Sequence, residues 1–197
     1  MSVHSEPQVK RGLKAWTTRD LLVMIAIAIV LGLILAVLNF VYLNLMPYGP
    51  IVRDTISGFW FIPSIAVMYI VHRPGTAVLT RILVNIVQIP FSPFGVTELV
   101  VSVLFGAASE IPFLATRYRN FRLPVLLASG GLAGLLNFGL LYAFLGGNLL
   151  SWGVVVVWFI VCIVSGALLG GGGAKLLIDR IVKTGVLASF AVAQDEQ

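Results

Sequence analysis

The chain has 197 residues, 59% of them hydrophobic and only 11% charged, with a mean hydropathy of +1.02 and a net charge of +5. Soluble domains carry about 25% charged residues, so this composition excludes a soluble enzyme and a disordered chain. A single cysteine, Cys162, also excludes a disulfide-stapled secreted domain.

At about 20 residues per spanning helix, six helices consume most of the chain. A basic balance then reads as loop charge that holds a membrane topology, not as a nucleic-acid surface. Residues 1–19 are polar and carry Lys10, Arg11, Lys14 and Arg19; they are expected to form a cytoplasmic tail. From Leu21 to Leu38 there is no charge. The run is too long for the apolar region of a signal peptide, and no A-x-A site follows before Asn39 and Tyr42, so it reads as a retained first helix.

Breaks follow at Pro47 to Pro50, His72 to Gly75, Pro90 to Gly95, Arg117 to Pro124 and Gly146 to Asn148. Each joins Pro, Gly or charged residues, the usual punctuation between helices. Six spans result, over residues 20–46, 53–71, 76–90, 96–116, 123–145 and 151–182. The third is short and interrupted by Arg81, Asn85 and Gln88. The sixth is long and is expected to end as an amphipathic segment around Lys175, Asp179, Arg180 and Lys183.

With the N-terminus inside, the inner loops receive Lys10, Arg11, Lys14, Arg19, Arg73, Arg117, Arg119, Arg122, Lys175, Arg180 and Lys183. The outer loops receive only Arg53, balanced by Asp54. That asymmetry fits the positive-inside rule, and an odd number of spans would destroy it. The expected fold is therefore an all-α integral membrane protein. It has six transmembrane helices over residues 20–183, both termini cytoplasmic and a second cytoplasmic tail over 184–197.

Several chemistries lack their parts. The histidines are His4 and His72, neither inside a span, so neither an intramembrane metalloprotease nor a Ser–His protease can be assembled at membrane depth. The run Gly170 to Lys175 imitates a phosphate loop, but Leu176 stands where Ser or Thr is needed and no strand precedes it. The chain is expected to have no ATPase site, metal or cofactor of its own. Its small-residue runs read as packing faces instead. Ala28, Gly32 and Ala36 recur every four residues and form one flat stripe, suited to internal packing or to docking on a partner subunit. Gly130 with Gly134, and Gly166 with Gly170, suit internal packing.

Ionisable groups inside a membrane mark a cavity or a partner. Arg81 and Glu110 lie at similar depth, roughly 9 Å and 10 Å from one boundary at helical rise, and are expected to form a structural ion pair between the third and fourth spans. Glu98 lies near the opposite end of its span, as a solvated loop carboxylate or as a counter-charge or acceptor for a cationic or amino-bearing ligand. Asn85 and Gln88 continue the polar face of Arg81. Trp60, Asn137, Tyr142 and Trp158 reach similar depth on other spans. Aromatic walls with a few amide and carboxylate groups suit a flat heterocycle, while each aromatic alone also suits an interfacial belt. The candidate ligand residues are therefore Trp60, Asn85, Gln88, Glu98, Asn137, Tyr142 and Trp158.

The chain also resembles a known family, the YkoE-type substrate-binding membrane subunits (S components) of energy-coupling factor transporters, linked to thiamine and its hydroxymethylpyrimidine precursor. The resemblance rests on Asp20, His72-Arg73-Pro74-Gly75 and Gly95-Val96. Its most specific piece is Gly106-Ala107-Ala108-Ser109-Glu110, leading to Arg117-Tyr118-Arg119. It implies a six-helix subunit of a prokaryotic plasma membrane that captures a vitamin-like molecule from outside. It further implies partners, namely a transmembrane coupling protein and two cytosolic ATPases, with the Ala28, Gly32, Ala36 stripe as docking face. The family pattern has an acidic residue where Arg81 stands, another near Gln88, and a glutamine where Phe105 stands. That difference opens the ligand choice to a neutral pyrimidine or another heterocycle. The competing reading is a stand-alone secondary transporter or channel in which Arg81, Glu98 and Glu110 form an ion path.

Overall fold

A computed structural model describes residues 16–92, 95–144 and 146–185. Lys10, Arg11, Lys14 and most of both expected tails lie outside the described residues. Within them the chain is all helical, without a strand.

α1 (Thr18–Leu45) starts on a capping box, in which Asp20 N–H donates to Thr17 Oγ1 at 3.3 Å and Thr17 N–H donates to Asp20 Oδ2 at 3.0 Å. The cap satisfies donors that the first helical turn leaves open. Asp20 also pairs with Arg73 at 2.9 Å, which ties the start of α1 to the loop before the third span. After a turn at Gly49, the second span is built in pieces: α2 (Pro50–Asp54), a 3-10 turn (Ser57–Phe61) and α3 (Ile62–Val71). Every residue from Pro63 to Val71 is buried, so α3 is the central post of the bundle. It stops at His72, whose left-handed φ of 54° ends the helix.

α4 (Thr76–Gln88) buries Thr76, Ala77, Thr80, Arg81, Val84, Asn85 and Gln88 while Leu79 and Ile86 face out. That is one helical face with a polar lining. α5 (Thr97–Ala115) ends where Arg117 and Tyr118 take positive φ, and α6 (Leu123–Phe144) returns. α7 (Trp152–Ser165), a π-helical segment (Gly166–Gly172) and α8 (Gly173–Val182) form one continuous rod.

Among the described residues, five helical stretches are long and apolar enough to cross a membrane: Thr18–Tyr48, Pro50–Val71, Glu98–Ala115, Leu123–Phe144 and Trp152–Val182. Thr76–Phe91 is a sixth, shorter apolar helix, matching the short third span expected from Arg81, Asn85 and Gln88. Chain order makes successive spans antiparallel. The turns around residues 49, 92 and 148 thus share one end of the bundle, and those around 73 and 119 share the other.

Glycines let the rods touch. Cβ atoms built on Gly130 or Gly171 of the fifth and sixth spans would lie 2.7 Å from Gly171 N and 2.6 Å from Leu126 C, closer than packed atoms tolerate. The Gly-rich segment that imitates a phosphate loop is therefore a packing surface. On it, Lys175 pairs with Asp179 at 2.6 Å and donates to Tyr69 Oη at 3.2 Å.

The stripe on α1 also serves internal packing, which corrects its expected docking role. Ala28, Gly32 and Ala36 are all buried, and a Cβ on Gly32 would meet Val87 Cγ1 at 3.0 Å and Val84 O at 3.3 Å. The small side chains bring α4 close, so the stripe is covered by this chain's own third span. The outward face of α1 carries Leu22, Ile29, Val30, Ile34, Val37 and Phe40 instead.

Candidate functional site

A cavity of about 290 Å³ lies between the C-terminal third of α1, the 3-10 turn, α4, α5 and the end of α6. Its size sits at the lower end of small-molecule sites, which span roughly 300–1,000 Å³. Of the residues expected from sequence to meet a ligand, Trp60, Asn85, Glu98 and Asn137 line it. Gln88, Tyr142 and Trp158 do not. Gln88 is buried in the helix packing, 1% exposed. Tyr142 lies against Phe138, ring centroids 5.7 Å apart, and against Gly147. Trp158 stands behind the wall and supports it.

That support is a buried polar network. Asp54, fully buried, accepts from Trp158 Nε1 at 2.6 Å, from Tyr42 Oη at 3.0 Å and from Arg53 at 2.9 Å and 3.2 Å. Arg53 is itself buried and lies 5.4 Å from the Tyr42 ring. The sequence reading placed Arg53 and Asp54 as loop charges. The structure corrects this, because a carboxylate with four donors and a guanidinium with a carboxylate partner are compensated against desolvation. Tyr42 in turn meets Trp60 edge to face at 5.1 Å, and Trp60 Nε1 donates to Asn39 Oδ1 at 3.2 Å. One carboxylate thus fixes an aromatic wall contributed by α1, the second span and α7.

The facing wall comes from α4 and α5. Asn85 Nδ2 donates to Glu98 O at 3.0 Å and to Ser102 Oγ, leaving Oδ1 buried without a partner. Asn39 Nδ2 and Asn137 Nδ2 are likewise buried and without a hydrogen bond among the described residues. Glu98 accepts from Ser92 Oγ at 2.5 Å. Arg81 donates from Nη1 to Trp60 O and lies over the Phe105 ring at 5.7 Å. Buried polar atoms normally find partners, so amide groups left open around one cavity are groups that a ligand can complete.

Arg81 and Glu110 do not pair, contrary to the sequence expectation. Glu110 Oε1 accepts from the Gly75 N–H at the start of α4 and from Tyr118 Oη at 2.8 Å, while Arg81 turns to the cavity. Similar depth along two helices does not fix which way each side chain points. Burial and the Glu110 carboxylate push the Tyr118 phenol above its ordinary range, so it remains a donor. Glu110 is an architectural acceptor that fastens α5 to the start of α4.

Asn39, Tyr42, Arg53 and Ser57 also line the cavity without standing out in the sequence as ligand residues, and Arg81 and Phe105, which the family resemblance ties to ligand choice, line it as well. The available signal was the i, i+3 pair Asn39 and Tyr42 at the end of an otherwise apolar helix.

Comparison with known proteins agrees with this architecture. Residues 19–136, more than half of the chain, match the family described as ABC-type cobalt transport system, permease component. A Bacillus subtilis (strain 168) protein named "Putative HMP/thiamine permease protein YkoE" is 30% identical over 185 residues, covering 93% of each chain. A solved structure described as an S-component of ECF transporter superposes with a TM-score of 0.87 at 28% identity, covering 92% of this chain and 93% of that one. The chain is a membrane transport subunit, and it belongs to the family of YkoE-type S components of energy-coupling factor transporters.

Proposed function

We propose that this S component captures hydroxymethylpyrimidine (HMP) or thiamine, or a closely related small heterocycle, from outside a prokaryotic cell. Uptake is then driven by a transmembrane coupling protein and two cytosolic ATPase subunits. The chain carries out no covalent chemistry, both termini are cytoplasmic, and the cavity faces the exterior before the energised step.

The observation that carries this reading is the cavity wall itself. Trp60, Tyr42 and Phe105 supply ring faces and edges, and Asn39, Asn85 and Asn137 supply unsatisfied amide atoms. An aminopyrimidine offers matching donors and acceptors on the edge of a flat ring, and ring contacts add about 0.5–1.5 kcal/mol each beyond burial. A metal ion as cargo fits less well. Among the described residues no group of three His, Cys, Asp or Glu side chains is placed to hold one, and the lining offers a single carboxylate, Glu98. The secondary-transporter alternative needed Glu110 on an ion path with Arg81 and Glu98, and Glu110 is not part of the cavity.

Trp60 on the wall makes the protein its own reporter. Titration of the detergent-solubilised protein with HMP or thiamine is expected to quench tryptophan fluorescence saturably. Uptake by cells is expected to stop when the ATP site of the co-purifying ATPases is disabled. No saturable signal with either compound, or uptake that persists without ATPases, overturns the assignment.

A further inference from the structure

Among the described residues, the most deeply buried cation of the cavity has no carboxylate within hydrogen-bonding distance. Arg81 is 4% exposed. A guanidinium carries five N–H donors, yet among the described residues its hydrogen bonding is confined to Nη1 on the Trp60 carbonyl oxygen, and Nε is buried without a partner. The other lining cation, Arg53, is already matched by Asp54 at 2.9 Å. Glu98 lines the same cavity, but it is less buried than Arg81 and is engaged by Ser92, so its charge is the better screened of the two. Burying an arginine this way is costly. The cost falls when a ligand presents lone pairs to the free donors and rises when a ligand brings a second positive charge.

We infer that Arg81 sets the charge specificity of the cavity, admitting a neutral, acceptor-bearing heterocycle such as HMP and disfavouring the thiazolium cation of thiamine. This rests on the cavity being the ligand site. The pyrimidine ring nitrogens and the hydroxymethyl oxygen of HMP supply the acceptors. Two like charges about 7 Å apart at an effective dielectric of about 20 repel by enough to cost more than tenfold in affinity.

The test is calorimetric titration of the intact protein in detergent with HMP and with thiamine, for wild type, Arg81→Lys and Arg81→Met. Wild type is expected to bind HMP at least about tenfold more tightly than thiamine. Arg81→Lys keeps the charge and is expected to keep the preference. Arg81→Met keeps most of the bulk without the charge, and is expected to gain about tenfold in thiamine affinity relative to HMP. An unchanged ratio in Arg81→Met assigns the preference to size and overturns the inference. So does a wild type that binds thiamine as tightly as HMP, a result that needs no variant to fold. Binding of neither compound by wild type overturns the capture reading itself and this inference with it.

Discussion

Asp54 never meets solvent, yet the shape of the cavity depends on it. Its two oxygens take hydrogen bonds from Tyr42, Arg53 and Trp158, side chains from three separate spans. Asp54→Asn removes the charge that compensates Arg53, and an uncompensated buried charge costs about 3–5 kcal/mol. The variant is expected to melt at clearly lower temperature in detergent. Arg53→Met combined with Asp54→Asn is expected to recover part of that loss, because the pair is then removed together. If the double variant melts lower than Asp54→Asn alone, Asp54 does not act through Arg53. The Arg53–Asp54 pair was visible in the sequence as adjacent charges of opposite sign. Its burial was not, because adjacency on a short loop-like segment carries no information about what closes over it.

Among elements, α6 depends most directly on bare backbone. Gly134 approaches Cys162 O of α7 so closely that an added Cβ would stand 3.0 Å from Cys162 C and 3.3 Å from Ile163 Cα. Backbone cannot step aside as a flexible side chain can. Gly134→Ala is therefore expected to destabilise by about 1–3 kcal/mol through overpacking. Gly139, on the same helix, has nothing within 4 Å of a built Cβ, and Gly139→Ala is expected to be neutral or to stabilise by up to about 1 kcal/mol from helix propensity. Thermal melts of the two variants side by side check this, and equal effects would refute the close-approach argument. Span limits and small-residue stripes were legible at this scale, since Pro, Gly and charge clusters mark helix ends and four-residue spacing marks a face. What each stripe meets was not legible. α1 is apolar on every side, so periodicity does not choose between α4 and a partner. Depth without rotation likewise paired Arg81 with Glu110, whereas the structure turns one toward the cavity and the other toward Gly75 and Tyr118.

Over the whole molecule, charge and cavity sit at opposite ends, and the direction of transport follows from which end faces out. Arg19, Arg73, Arg117, Arg119, Arg122, Arg180 and Lys183 gather around the end of the bundle away from the cavity. At the cavity end Arg53 is locked to Asp54. Cytoplasmic loops retain Lys and Arg during insertion, so the cavity end is expected to be extracellular. The native thiol, Cys162, is fully buried and gives a silent background for labelling single introduced cysteines. Leu149, 85% exposed in the turn between α6 and α7, sits at the cavity end, and Thr184, exposed just beyond α8, sits at the other. Neither substitution alters the charge balance that sets orientation. In intact cells a membrane-impermeant maleimide is expected to label Leu149→Cys, and to label Thr184→Cys only after permeabilisation. The reverse pattern would turn the cavity toward the cytoplasm. Capture from outside would then be untenable, even with every contact in the cavity unchanged.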